Sequence, residues 1–344
     1  MTEGAALWQA VDDLLDGAEV AGIRAHKLGA LAARLRRSDG RPVPPPLAAD
    51  ERGAAVAVIM ARPLLEHIRR VCDGALVLVK GPEVARLYPG SARTFGDVDL
   101  FAADAPAAQR ALLANGYVEV DDPEPFVDHH HLRPLKAPTV GLKVELHTAP
   151  LWPPGTTPPP LQEILERAVP AGVGVEGIST PVPVHHALIL AAHAWSHDPL
   201  QTLRDLVDIA AVSAGCSDAE LAQAAEAWGI PKIWRTTRGA IRALLEGGPT
   251  TVPLRIWARH LRSMRERTVL DSHLMRWLHV FWELPPRAAV ADLRTAVRMT
   301  LLPAGGESWR EKLARTGRGI THPGEPMSTH LEWSREVRRR RRRS

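Results

Sequence analysis

Helical periodicity at both ends of the chain, with short apolar runs between them, predicts an α+β protein. The expected architecture is a small mixed β-sheet with flanking helices, joined to a mainly helical C-terminal domain. Apolar runs of strand length stand at residues 75–79, 98–101 and 141–148. Apolar residues at helical spacing dominate before residue 72 and again after residue 183. Between these regimes lies a stretch from Trp152 to Pro160 with five prolines, the clearest loop or linker inside the chain.

Taken in order, Leu7, Val11, Leu14 and Leu15 fit a helix over 6–16, and Leu28, Leu31 and Leu35 fit one over 22–37. Pro42, Pro44, Pro45 and Pro46 cannot continue a helix, so 41–46 reads as a linker. A long helix is expected over 51–71, with Pro63 as the place for a kink. The strand at 75–79 leads to Pro82, which suits the first turn of a helix over 82–87. A turn at 88–91 precedes the strand at 98–101, and Gly116 ends a helix over 105–115. Strands follow at 117–120, 129–135 and 141–148, which suggests a sheet with helices on one side. Helices are then expected at 184–195, 203–214, 218–228, 232–245, 253–267, 270–282 and 288–301. From Pro303 onward Gly, Pro and Arg predominate, and weak order is expected. The resulting division is an N-terminal helical segment at 1–50, a core at 51–150, a helical domain at 161–302 and a basic tail at 303–344.

At 344 residues the chain can bury about two cores. Its two cysteines, Cys72 and Cys216, lie far apart, which argues against a disulfide scaffold or zinc ribbon and fits a reducing cytoplasm. No apolar run reaches the roughly 18 residues of a membrane span, so no membrane partner is expected. The acidic start of the chain does not read as a signal peptide. The formal net charge is +4, less than the six arginines from Arg338 to Arg343 alone supply, so the folded part is close to neutral. That balance shows no basic groove for long nucleic acid. The arginine run itself should be disordered and able to bind polyanions non-specifically.

The chemistry-bearing stretch runs from Leu76 to Leu100. Asp97 and Asp99 stand two apart in an apolar run, so on a strand they share a face, with backbones about 7 Å apart. Like charges held that close repel, and a divalent cation between them would relieve the cost. Glu145, on a neighbouring run, would complete a metal site suited to phosphoryl chemistry. His147, two residues on, shares Glu145's face and is a candidate to support a metal ligand or to contact substrate.

Lys80-Gly81, Tyr88-Pro89, Arg93, Gly96 to Leu100 and Val144 to His147 together resemble the motifs of the uncharacterised nucleotidyltransferase family, within the DNA polymerase β-like superfamily. The resemblance spans about residues 6–215. It implies a polymerase β-like nucleotidyltransferase core that moves a nucleoside monophosphate from an NTP donor to a hydroxyl and releases pyrophosphate. Asp97, Asp99 and Glu145 would hold Mg²⁺ (or Mn²⁺), with Glu145 also helping to deprotonate the attacking hydroxyl. Lys80, Gly81, Arg93 and Gly96 would bind the nucleotide. The turn at Lys80-Gly81 would aim helix N–H groups at phosphate, and Arg93 would pair with phosphate bidentately. One departure is Pro82, which stands where many members of the superfamily carry Ser, so phosphate binding leans more on Lys80 and Arg93. A small molecule, a protein side chain and an RNA end all stay open as acceptor. Two rival readings are a toxin or defence enzyme modifying tRNA, and a non-catalytic nucleotide-binding module.

His129, His130 and His131 read as exposed hairpin residues near the cleft. His186, His193 and His197 fall on one helical face, read as closing over the nucleotide. The i, i+4 pair His193 and His197 lacks the glutamate of a zinc HExxH motif. Arg204 and Asp208 fit an ordinary i, i+4 helix pair. The stretch 255–267 reads as a basic, solvated helix face, and Trp234, Trp257, Trp277 and Trp282 as core.

Overall fold

The strand-length runs in the middle of the chain pair into one sheet, and their period-two alternation sorts side chains onto two faces. The computed structural model describes residues 3–120, 130–137, 141–303 and 308–321. Helices α1 (Glu3–Leu15), α2 (Val20–Ala25), α3 (Gly29–Ser38) and α4 (Pro45–Val71) come first. Next are β1 (Leu76–Leu78), the one-turn α5 (Pro82–Ala85), β2 (Asp97–Ala102), α6 (Ala105–Ala114), β3 (Val118–Glu119), β4 (Leu135–Lys136) and β5 (Lys143–His147). The Pro-rich segment leads to α7 (Leu161–Glu166) and a hairpin of β6 (Val169–Pro170) and β7 (Ile178–Thr180). Then follow α8 (Pro183–His197), α9 (Leu203–Ser213), α10 (Asp218–Ala227), α11 (Pro231–Leu245), α12 (Val252–Ile256) and α13 (Arg259–Arg262). The last are α14 (Val269–Leu278), α15 (Val280–Glu283), α16 (Pro286–Leu301) and α17 (Trp309–Thr321). Among the described residues no helix is long and apolar enough to cross a membrane.

The described strands form a mixed sheet in the order β3-β4-β5-β2-β1-β7-β6. β2 runs parallel to β5 and antiparallel to β1, which in turn runs parallel to β7. Leu76, Leu78, Val98, Leu100, Val144 and Leu146 point into a core shared with α4 and α6. Val77, Val79 and Phe101 point the other way, into a larger core with α1, α3, α8, α9 and α11. Helices therefore cover both faces rather than the one expected. Each fully buried Leu or Val is worth about 1.5–3 kcal/mol. A one-residue slip of β2 would expose Val98 and Leu100 and turn its acids into the α4/α6 core, so the register is firmly set.

The α+β class and the helical C-terminal region are as expected; several details differ. The 22–37 helix is broken between α2 and α3, where Lys27 takes a left-handed conformation (φ 58°). The prolines at 45 and 46 do not lie in a linker but form the first turn of α4, where their missing N–H groups cost nothing, and α4 runs on through Pro63. The β6–β7 hairpin, unforeseen, returns the chain to the sheet beyond the Pro-rich segment. Within the expected strand at 129–135, only a bridge at His131 and the start of β4 appear; His129 lies outside the described residues. The 253–267 helix divides into α12 and α13. Its arginines are not a free basic face: Arg259 and Arg265 both pair with buried Asp271, and Arg267 pairs with Asp198. The 270–282 helix divides into α14 and α15. Trp234 and Trp257 are core residues as expected. α17 stands where little order was expected, and the Arg338–Arg343 run lies outside the described residues.

One buried ion pair joins the sheet to the helices behind it. Arg93, in the approach to β2, donates through Nε to Asp208 Oδ1 at 2.7 Å and through Nη2 to Oδ2 at 2.6 Å. The Tyr88 hydroxyl donates to Asp208 Oδ1 at 2.6 Å. Arg93 and Asp208 are only 5% and 4% exposed. Removing one partner leaves a buried charge unsatisfied, a loss of about 3–5 kcal/mol. Asp208→Ala is therefore expected to lower unfolding free energy by about that much, as read by urea denaturation, with Trp fluorescence reporting a loosened helical region. A variant as stable as the parent would show that the pair does not hold the two layers together.

Candidate active site

The site begins where β1 ends. The Val79 N–H donates to the Asp99 carbonyl at 3.0 Å, which holds the chain against β2 up to the Lys80-Gly81 turn. Gly81 has φ 61° and ψ −122°, and a Cβ there would lie 2.7 Å from the Asp97 carbonyl oxygen. Only glycine fits both the angle and the gap. The helix it opens is a single turn, too short to carry much of the dipole expected to attract phosphate.

The parallel β2–β5 register sets Asp99 beside Glu145 and Phe101 beside His147. Asp97, Asp99, Glu145 and His147 thus share the face opposite the α4/α6 core. Ligand atoms of Asp99, Glu145 and His147 all lie within 4.8 Å of one another. His147 Nε2 is 3.0 Å from Asp99 Oδ1 and 3.9 Å from Glu145 Oε2. Lys80 Nζ is 4.0 Å from Asp99 Oδ1. His147 is therefore in direct contact with the acids. Asp97, one pleat back on β2, stands outside this tightest group.

Electrostatics separates the three carboxyls. Burial alone would raise the pKa of Asp99, but Lys80 and the His147 hydrogen bond outweigh it and hold Asp99 ionised. Burial, then the charge of Asp99, pushes Asp97 up. Burial, followed by Asp99 and Asp97, pushes Glu145 to about 7. Three acids so placed, beside one lysine, hold more negative charge than the protein neutralises. The donor set of carboxylate oxygens with one imidazole nitrogen fits a divalent cation.

Histidines line the adjoining wall. His193 Nε2 meets Lys80 Nζ, so the imidazole accepts from the ammonium, and burial followed by Lys80 drives its pKa well below the usual value. The His197 ring lies 4.4 Å from that of His193. His186 differs from the expected common face: it is buried against the Val79 carbonyl and does not border the cleft. His130 and His131 are half-buried rather than exposed, with rings 5.2 Å and 5.3 Å from His147. Burial, then His147, takes His130 to about 2.

Arg93 requires a correction. It was expected to grip phosphate bidentately, but its fork is closed on Asp208, although the residue still borders the cleft. Asp208 likewise pairs with Arg93 rather than with Arg204, which lies 3.5 Å from Asp205. Gly96 also borders the cleft, and its carbonyl accepts from the Lys143 N–H at 3.0 Å, which aligns β2 with β5.

The cleft in front of these groups has a volume of about 690 Å³, within the 300–1,000 Å³ range usual for small-molecule sites. Lys80, Gly81, Asp97 and Asp99 form its sheet side, and His193, His197 and Arg204 come from α8 and α9. Lys27 from the α2–α3 turn and Arg276 from α14 also border it. Sequence patterns offered no signal for Lys27, because nothing local links an N-terminal turn to a strand 70 residues on.

A model of the uncharacterised nucleotidyltransferase family matches residues 12–245. The chain belongs to that family, and the acidic strands fall inside the matched region, as does most of the cleft border, Arg276 of α14 lying beyond it. Nucleotidyl transfer as a class follows from the membership. No match was found among curated proteins.

The crowding of the acids has a measurable sign. Glu145 titrates near 7 rather than at its ordinary 4.5. Its favourable contribution to the metal-free fold is thus fully present below pH 4.5 and is lost as pH rises through about 7. Glu145→Gln should raise metal-free stability at pH 8 by about 1–3 kcal/mol and remove most of the melting-temperature rise caused by divalent ions. Urea unfolding at pH 5 and pH 8, with chelator and then with Mg²⁺ or Mn²⁺, checks both. Equal destabilisation of the variant at both pH values would contradict this account.

Proposed function

We propose that the protein transfers a nucleoside monophosphate from a nucleoside triphosphate to a hydroxyl acceptor, with release of pyrophosphate. One observation carries the reading: Asp99, Glu145 and His147 converge on one sheet face, and Asp99, with Asp97, borders a cleft of nucleotide-binding size. Family membership supports the same class of reaction.

Asp97, Asp99 and Glu145 would hold the divalent cation, Mg²⁺ or Mn²⁺, with His147 at its edge. The cation would supply Lewis-acid stabilisation of the charge that builds on phosphate oxygens. The chain's own residues prepare the rest. Lys80 and His147 keep Asp99 ionised, so one strong oxygen donor persists across the neutral range. Glu145, with its raised pKa, is suited to take the proton from the acceptor hydroxyl. That oxygen bonds to the α-phosphorus as the α–β bridging P–O bond breaks, and pyrophosphate leaves with the bonding electrons. Lys80 adds positive charge beside Asp99, and His193 and His197 line one wall, His193 without adding charge of its own. A cytoplasmic setting belongs to the proposal, in keeping with the free thiols of Cys72 and Cys216.

The test is incubation with each labelled NTP and Mg²⁺ or Mn²⁺, following label into the protein itself, RNA or a metabolite extract. The Asp97→Asn, Asp99→Asn double variant should keep the fold by circular dichroism and lose transfer by about a thousandfold or more. Full activity in that variant would sink the metal-site assignment.

A further inference from the structure

The cations expected to meet phosphate are engaged elsewhere. Lys80 is held between Asp99 and His193, and Arg93 is locked on Asp208. Arg276, farther round the cleft, lies in the fields of Asp198 and Arg267. Two cleft cations differ. Lys27 makes no side-chain hydrogen bond or ion pair among the described residues. Arg204 has only the 3.5 Å contact to Asp205, and its Nε is buried with no partner among the described residues.

The backbone brings these two together. Lys27 occupies the left-handed position that ends α2, where glycine or asparagine is usual. The preceding residue, His26, accepts from the Leu203 N–H through Nδ1 at 3.3 Å, and its Nε2 lies 3.3 Å from the His260 carbonyl. His26 therefore pins the turn to the first residue of α9, with Lys27 next in sequence on one side and Arg204 on the other. Lys27 is exposed by area, yet burial in the crowded mouth and then the like charge of Arg204 depress its pKa, and the field of Asp97 also reaches it. Asp205, capped by Thr202, offsets part of this positive charge. A lysine in a left-handed backbone conformation, held beside an arginine of like charge, is costly unless it serves a ligand. The missing complement is an anion.

On the reading proposed above, we infer that Lys27 and Arg204 hold the β- and γ-phosphates of the nucleoside triphosphate, so that pyrophosphate leaves against them. The α-phosphate then falls on the side of the three acids. Lys27 also borders a second hollow lined by Arg24 and Asp50, which places it at the rim of the cleft, where a leaving group must exit.

Binding measurements with Mg²⁺ separate the phosphates: an NTP with a non-hydrolysable α,β-bridge, the corresponding NMP, and inorganic pyrophosphate. Lys27→Asn suits the left-handed turn and should leave the melting temperature unchanged or higher; Arg204→Gln is the second variant. Each should weaken binding of the NTP analogue and of pyrophosphate by about 10- to 100-fold, while NMP affinity stays within about twofold. Lys27→Arg should recover most of the loss. If the unaltered protein binds the NTP analogue and the double variant binds it as tightly, this inference falls alone. Equal losses for NMP and NTP analogue overturn it too. If the unaltered protein binds neither the NTP analogue nor pyrophosphate, the nucleotidyltransferase reading falls with it.

Discussion

The two-pronged pairing of Arg93 with Asp208, with Tyr88 on the same carboxylate, is the constraint on which the cleft depends. One partner enters β2 and the other lies in α9, so the pair sets how far the acidic sheet face stands from the helices opposite. Burying two charges is expensive, and this pair is worthwhile because both oxygens and two guanidinium N–H groups are satisfied at once. His186, packed on the Val79 carbonyl, makes a second tie from α8 to the end of β1. Together they hold α8 so that His193 reaches Lys80. A site formed between two layers needs such fasteners, because apolar contacts alone allow sliding.

Electrostatic tension then gives the site its character. Strand alternation puts every acid of β2 and β5 on one face, and the parallel register brings Asp99 and Glu145 abreast. The walls add little screening, since burial keeps His193 and His130 uncharged. The metal-free protein therefore stores unfavourable repulsion at this point, which a cation would convert into affinity. Asp99, stabilised by Lys80 and His147, and Glu145, titrating near 7, occupy different positions on the acid scale only ångströms apart. That separation lets one carboxylate bind while another exchanges a proton.

Much of this was legible from residue order. Asp97, Asp99, Glu145 and His147 lie in apolar runs whose alternation dictates a shared face, and Gly81 follows from a strand that must turn sharply. Arg93 could not be read the same way. A guanidinium fork fits a carboxylate as well as a phosphate, and the choice was made by Asp208, 115 residues away. Arg204 and Asp208 show the converse: their spacing permits a helix pair, but the stronger buried partner took Asp208. Breaks at Lys27 and between α12 and α13 were hidden because apolar spacing continues through them. His26 and Lys27 gain meaning only from their contact with α9.

The return of β7 to the sheet has a practical consequence. It pairs parallel to β1 from beyond the Pro-rich segment, while β2 covers β1's other side. A fragment ending at residue 150 would leave β1 with an open flank of unpaired N–H and C=O groups. Such an edge invites pairing with another chain. Expression of the acidic strands by themselves would yield aggregates rather than a small soluble enzyme, so any minimal version must extend past Thr180.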